Sequence, residues 1–253
     1  MKVKYDPIFI LENVIYKAAN AGIILWTENG SIKYKTNHDN DIENILKELK
    51  KYKNAVLSIL EDNKVLSGNS NAPIIYKTYA DRAALSFAQE RLWFIEKYEE
   101  GTNAYHMPFA MTLKKGIDIN GLRYALQKIV SRHEVLRTTI FIDEDFKTIQ
   151  KIHKHPLPIE ETKLSLDSNI NQVVKNDFDR PFDLTREFPI RVKLFKTKNK
   201  TILSINIHHI ASDGWSMEIF KEELFAYYSS FINNNQTFNL PDLEIQYKDY
   251  AIW

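Results

Sequence analysis

The chain has 253 residues, 44% hydrophobic and 26% charged, enough for one large domain or two smaller ones. Its 34 basic and 33 acidic residues leave a net charge of +1, so no global field draws it to nucleic acid or to a membrane surface. Cysteine is absent, which excludes a disulfide framework, a thiol nucleophile and a thiolate metal site.

The N-terminus, MKVKYDPIFILENVIYKAANAG, has no apolar segment followed by a small-residue cleavage site. No later run approaches the ~18 consecutive apolar residues of a membrane span, so the expectation is a soluble, cytoplasmic protein. Asp6-Pro7 reads as a helix start, Asp capping and Pro at the first helical position. Ile10, Leu11, Val14, Ile15, Ala18 and Ala19 form a helical stripe, and Gly22 sits where a C-terminal cap belongs. Ile23–Thr27 and Ser31–Lys35 read as two strands joined by a tight turn at Glu28-Asn29-Gly30. A second helical region runs from Asp41 to Leu60, whole or broken near Lys53-Asn54.

This first unit, residues 1–65, has only one hairpin and a marginal core, of a kind stabilised by self-association or by a partner. Its two-stranded sheet leaves edges open to another strand. Lys33 and Lys35 project from one face of the second strand and Ile32 and Tyr34 from the other. The lysines read either as gatekeepers against aggregation or as a docking edge for an acidic extended peptide. Residues 66–75 (Leu66-Ser67-Gly68-Asn69-Ser70-Asn71-Ala72-Pro73 at their heart) are small, polar and closed by proline, as in a linker.

Residues 76–253 form a second region. Ala88, Arg91, Leu92 and Ile95 recur at helical spacing, with Trp93 and Phe94 as expected core anchors. Asn120 is placed to cap a helix whose Leu122, Leu126, Ile129 and Val130 face inward. Arg132 and Arg137 flank the end of that helix; arginines so placed are ordinarily solvated surface residues. Strands are expected near 107–113, 136–142, 147–153, 188–197 and 201–209, together supplying one mixed sheet.

The most informative stretch is Ile207-His208-His209-Ile210-Ala211-Ser212-Asp213-Gly214-Trp215-Ser216. Leu203, Ile205 and Ile207 alternate with Ser204 and Asn206, the period of a strand, so His208 and His209 fall on opposite faces and cannot both serve one centre. One is a reactive candidate and the other structural. The bland reading of His209 is a hydrogen-bonded core histidine. From Trp215 onward, Met217, Phe220, Leu224, Tyr227 and Tyr228 mark an amphipathic helix, and Asp213 reads as its N-cap. No cysteine or histidine-rich cluster offers further ligands, so no metal is expected.

That stretch resembles the HHxxxDG signature of condensation domains in non-ribosomal peptide synthetases. Three further segments support the resemblance in family order: Leu85-Ser86-Phe87-Ala88-Gln89-Glu90-Arg91-Leu92-Trp93-Phe94, Ser131-Arg132-His133-Glu134-Val135-Leu136-Arg137-Thr138, and Tyr247-Lys248-Asp249-Tyr250-Ala251-Ile252-Trp253. The resemblance implies a chloramphenicol-acetyltransferase-like lobe, α/β (α+β) with a mixed sheet and packed helices. It implies peptide-bond formation between a donor thioester and an acceptor amine, each borne on the phosphopantetheine arm of a carrier protein, with no cofactor bound directly. By motif position His209 is the functional histidine, His208 and Asp213 hold the loop, and Gly214 keeps a tunnel wall free of a side chain. It further implies that a buried arginine, Arg132 or Arg137, pairs with Asp213.

Residues 8–60, centred on Gly22 to Tyr34, resemble a TubC-type N-terminal docking domain of α-β-hairpin-α form. That family captures the C-terminal tail of an upstream synthetase protein by strand addition to the second hairpin strand, which here carries Ile32, Lys33, Tyr34 and Lys35 beside Trp26. A complete condensation domain has two lobes, and the segments of the second are absent from this sequence. The expectation is therefore a docking domain with a first lobe only, which binds but does not catalyse. A coenzyme A-dependent HxxxDG acyltransferase and an epimerisation domain are the alternative readings.

Overall fold

In the computed structural model, which describes residues 5–36, 42–66, 75–99, 102–165, 168–235 and 237–253, Asp6 caps the first helix and Pro7 takes its first position. Asp6 accepts a hydrogen bond from the Ile8 amide at 3.0 Å. Helix α1 (Pro7–Ile10) continues through a π-type turn at Leu11–Ile15 into α2 (Tyr16–Asn20). Strands β1 (Ile23–Glu28) and β2 (Ser31–Thr36) then pair antiparallel. Their turn needs positive φ at two successive positions, which Asn29 (48°) and Gly30 (67°) supply. The next helical region is broken, at Tyr52, into α3 (Glu43–Lys51) and α4 (Lys53–Asp62). Its expected start at Asp41 lies outside the described residues, as does the linker between Leu66 and Ile75.

Ile10, Leu11, Val14, Ile15 and Ala18 pack on Ile23 and Leu25 of the hairpin and on Leu49, Val56 and Leu60. This core continues past residue 65, because Tyr76, Ala83 and Ile252 belong to the same cluster. The Tyr76 amide donates to the Tyr16 hydroxyl at 3.1 Å, and the Asn63 side chain bonds both the amide and the carbonyl of Lys77 at 2.8 and 3.2 Å. The first compact unit accordingly reaches Ser86, including β3 (Arg82–Ala84), and takes in Glu244–Trp253. The second unit is Phe87–Leu243.

The second unit begins with α5 (Phe87–Tyr98), β4 (His106–Leu113) and α6 (Ile119–Arg132). It continues with β5 (Thr138–Ile142), β6 (Thr148–Ile152), β7 (Ile159–Lys163), α7 (Ile170–Asp179), β8 (Ile190–Lys196), β9 (Thr201–His208) and α8 (Gly214–Ile232). Beyond it, α9 (Tyr247–Ile252) returns the chain to the first unit, where buried Asp249 accepts from the amides of Thr78 and Gln246 at 2.9 and 2.8 Å.

The mixed sheet of the second unit has the order β4-β9-β8-β7, parallel between β7 and β8 and antiparallel elsewhere. Leu203, Ile205 and Ile207 of β9 and Ile190, Val192 and Leu194 of β8 are buried in one cluster with Leu122, Leu126 and Ile129 of α6 and with Phe220 and Tyr227 of α8. Each such side chain contributes roughly 1.5–3 kcal/mol by leaving water. Helices α6 and α8 approach closely at Gly121, where a Cβ would lie 3.0 Å from the rings of Tyr228 and Phe231.

Four expectations need correction. The strands near 136–142 and 147–153 do not join the mixed sheet; they form the separate hairpin β5–β6, and Glu134–Arg137 is a 3-10 turn. The added strand is β7, whose exposed glutamates mask its alternation. Asp118, not Asn120, caps α6, accepting from the amides of Asn120 and Gly121 at 2.7 and 3.1 Å. Phe94 is no core anchor: the inward stripe of α5 is Gln89, Trp93 and Glu96, which leaves Phe94 68% exposed and stacked on Tyr98. Among the described residues no helix is long and apolar enough to cross a membrane.

Candidate functional site

Strand β9 ends at His208, the chain turns through His209–Ala211, and Asp213 starts α8. Three hydrogen bonds fix the turn. The His209 amide donates to the Tyr105 carbonyl at 2.8 Å, the Ala211 amide to the His208 carbonyl at 3.0 Å, and the Ile210 amide to Nδ1 of the His208 imidazole at 3.1 Å. The His209 side chain is exposed, whereas His208 is 0% exposed. The two histidines thus stand in opposite environments one residue apart.

The polar face of β9 is covered rather than solvated. Ser204, Asn206 and His208 are all buried, beneath residues of α7 and α5. In register with His208 lies His106 of β4, whose Nδ1 is 2.7 Å from the Phe178 carbonyl. Glu96 Oε2 is 3.6 Å from His208 Nε2. On β8, Arg191 donates to Glu187 through Nε and Nη2 at 2.7 and 2.5 Å and to the carbonyls of Arg180 and Pro181 at 2.6 and 2.5 Å, with its guanidinium over the Phe182 ring.

Burial pushes the His208 pKa down to about 4, and His106, His209 and Arg191 push it the same way. His208 is therefore neutral at pH 7. An unfolded histidine titrates near 6.5, so as pH falls from about 6.5 to about 4 the unfolded chain takes up a proton that the native chain refuses. His208 thus lowers native stability across that window by about 3 kcal/mol, with no further loss below it. Glu96 acts with the opposite sign, because burial and then Glu99 raise its pKa and the native carboxyl holds its proton to higher pH. The stability difference between wild type and His208→Gln, measured by urea unfolding from pH 7 to pH 4, isolates the histidine. Wild type is expected to lose about 3 kcal/mol relative to the variant, and a constant difference would contradict this.

Asp213 is an N-cap: it accepts from the Ser216 amide at 2.8 Å and the Ser216 hydroxyl at 2.6 Å, bonds that hold its carboxyl below the usual range. The expected pairing with an arginine is not formed. Arg132 donates through Nε to Glu223 of α8 at 2.9 Å and through Nη1 to the Pro241 carbonyl, while His133 reaches the other Glu223 oxygen at 2.8 Å. Arg137 bonds the His153 carbonyl at 2.5 Å and Glu134 at 3.2 Å. The reason is positional: Arg132 ends α6 and Arg137 ends the 3-10 turn that follows it, where both are taken up by these acceptors, while Asp213 is already engaged by its own helix. Gly214 has no atom of the described residues within 4 Å of a notional Cβ, so none of them demands a glycine there.

On the hairpin of the first unit, Lys33, Tyr34 and Lys35 are exposed, while Ile32 and Trp26 pack at the margin of the core. The edges are not equally open. The Thr27 amide of β1 bonds the Val65 carbonyl at 2.8 Å and Thr27 bridges to Leu66, whereas β2 has no strand beyond it among the described residues. No group of three or more histidines and carboxylates able to hold a metal occurs among the described residues. The sequence reading missed Glu96, His106, Arg191 and Glu187. A charged residue at position 96, on the same stripe as Gln89 and Trp93, was the one available signal; the others depend on strand pairing.

A buried and an exposed histidine thus stand side by side at the end of β9, and comparison with known proteins gives the class of the lobe that carries them. The family model of the condensation domain matches residues 79–253, and the chain belongs to that family. It is 36% identical over 186 residues (72% of the chain) to cyclosporin synthetase simA of Tolypocladium inflatum, and 37% identical over 171 residues (66%) to the bassianolide nonribosomal cyclodepsipeptide synthetase of Beauveria bassiana. It spans only 1% and 5% of those proteins. Among solved structures, the X-domain in complex with OxyB from teicoplanin biosynthesis is 30% identical, with a TM-score of 0.62 over 72% of this chain and 39% of that one. The first condensation domain of the calcium-dependent antibiotic synthetase shares the fold at 20% identity, with a TM-score of 0.55 over 64% of this chain and 40% of its own.

Proposed function

We propose that the second unit is the histidine-bearing lobe of a peptide-bond-forming domain in a modular synthetase, and that His209 is its acting residue. The observation that carries this reading is the contrast within the pair. His208 is fully buried and bonded to Ile210, while His209 alone presents its imidazole at the end of β9. In the reaction, the acceptor amine attacks the donor thioester carbonyl, a C–N bond forms, the C–S bond breaks, and the carrier's thiolate leaves. His209 takes the proton released by the amine or holds the amine by a hydrogen bond. Because a free α-amine has a pKa of about 7.7–8.0, much of it is already uncharged at neutral pH, so orientation contributes strongly.

The substrates arrive on phosphopantetheine arms of donor and acceptor carrier proteins in the cytoplasm. The likeness to an X-domain solved with OxyB supports a lobe that meets protein partners. The part of the chain that matches a related condensation domain covers about 40% of it, and the chain alone is expected to form no product from loaded carriers. Completion with a second lobe is expected to restore transfer; product from the chain alone would refute the need for that lobe.

The first unit reads as the docking element for the C-terminal tail of an upstream synthetase protein, received by strand addition along β2. The open outer edge of β2 and the exposed Lys33 and Lys35 support this. Titration with the tail peptide is expected to show saturable binding. Reversing both lysines to glutamate should weaken it about tenfold at low salt and less at high salt. No change on reversal would remove the lysines from the interaction.

A further inference from the structure

The bond from the Ile210 amide to His208 Nδ1 is possible only if that nitrogen carries no proton. A neutral imidazole then has its proton on Nε2, and Nε2 faces Glu96 Oε2 at 3.6 Å. His208 Nε2 and both Glu96 carboxylate oxygens are buried and make no hydrogen bond among the described residues. The two groups thus stand 3.6 Å apart, while His106 Nε2 and Asn206 Oδ1 nearby are likewise without a hydrogen-bond partner among the described residues. Among the described residues, His106 of β4, Arg191 of β8, Tyr105 and the adjacent His209 also bear on the ring, with Glu99 acting on Glu96 along α5. The rings of Tyr105 and Phe182 pack beside it, with centroids 6.4 and 5.7 Å from that of His208.

The choice of tautomer has a consequence one residue on. If the proton sat on Nδ1, the Ile210 amide would face a donor, and a buried N–H would lose its acceptor. The turn would then keep only its two main-chain bonds, from His209 to Tyr105 and from Ala211 to His208. We propose that Glu96 is a positioning residue: its carboxylate draws the His208 proton to Nε2, which leaves Nδ1 free to hold the Ile210 amide and so fixes the backbone that presents His209. Glu96 touches no substrate in this scheme. The proposal rests on the reading of His209 as the acting residue, but its own test does not.

That test uses the 253-residue chain labelled with ¹⁵N-histidine. Long-range ¹H–¹⁵N spectra at pH 7 report which nitrogen of each imidazole is protonated. Wild type is expected to show His208 as the Nε2–H tautomer, and Glu96→Gln to keep it, because the amide oxygen accepts the same proton. Glu96→Leu is expected to populate the Nδ1–H form and to speed hydrogen exchange at the Ile210 amide at least about tenfold. An Nδ1–H tautomer in wild type overturns the proposal, and this result does not depend on whether any variant folds. So does a folded Glu96→Leu with unchanged tautomer and exchange. In a completed condensation domain, Glu96→Leu is expected to lower kcat with little change in KM, and Glu96→Gln to recover most of it. If His209→Ala leaves turnover intact, the role of His209 falls while the spectra still decide that of Glu96.

Discussion

Glu187→Ala is expected to cost about 3–5 kcal/mol, because it strips the partner from a buried guanidinium. Arg191 is only 6% exposed and makes a two-pronged contact with the Glu187 carboxylate. Burial works to raise the Glu187 pKa, but the bonds from Arg191 and from the Asp183 amide outweigh it and hold the carboxyl below its usual range. The carbonyls of Arg180 and Pro181 can satisfy N–H groups, yet they carry no charge to offset the cation. Arg191 also bears on the His208 environment, so the lesion would reach the end of β9. For a domain of this size the loss corresponds to a fall in Tm of roughly 6–20 °C. Glu187→Gln, which keeps an acceptor, should lose less. A shift of under about 1 kcal/mol in Glu187→Ala would mean that the pair is effectively solvated.

How much of this was legible beforehand depends on whether the information is local. The Asp6-Pro7 start, the Asn29-Gly30 turn and the Asp213 cap are matters of one or two residues' own chemistry, and each forms as read. The alternation of β9 likewise shows which residues share a face, and Leu203, Ile205 and Ile207 do meet α6 and α8. What alternation cannot show is what covers the polar face. Ser204, Asn206 and His208 would be solvated on a one-sided sheet, and here α7 and α5 bury them. The same limit applies to the arginines. That Arg132 meets Glu223 depends on the close packing of α6 against α8 at Gly121, residues about a hundred apart in the chain. The strands at 138–142 and 148–152 show their period plainly but not their sheet, since pairing is decided by partners far along the chain.

The division between the histidines was drawn from their opposed faces, and the structure gives each face an environment. The buried, neutral His208 is suited to accept a backbone N–H and unsuited to meet a substrate. Its neighbour is exposed, is bonded through its main chain to Tyr105, and has its imidazole close enough to Asp213 to help hold that carboxyl down. Asp213 and Gly214 then serve the start of α8 rather than an ion pair or a crowded wall in this lobe.

The most direct test is peptide transfer by the complete condensation domain carrying His209→Ala, with loaded donor and acceptor carriers under single-turnover conditions. An exposed side chain can be removed without disturbing the fold, so the thermal midpoint should stay within about 2 °C of wild type. The rate is predicted to fall by about 10²–10⁴. A rate within about twofold of wild type would contradict the assignment of His209.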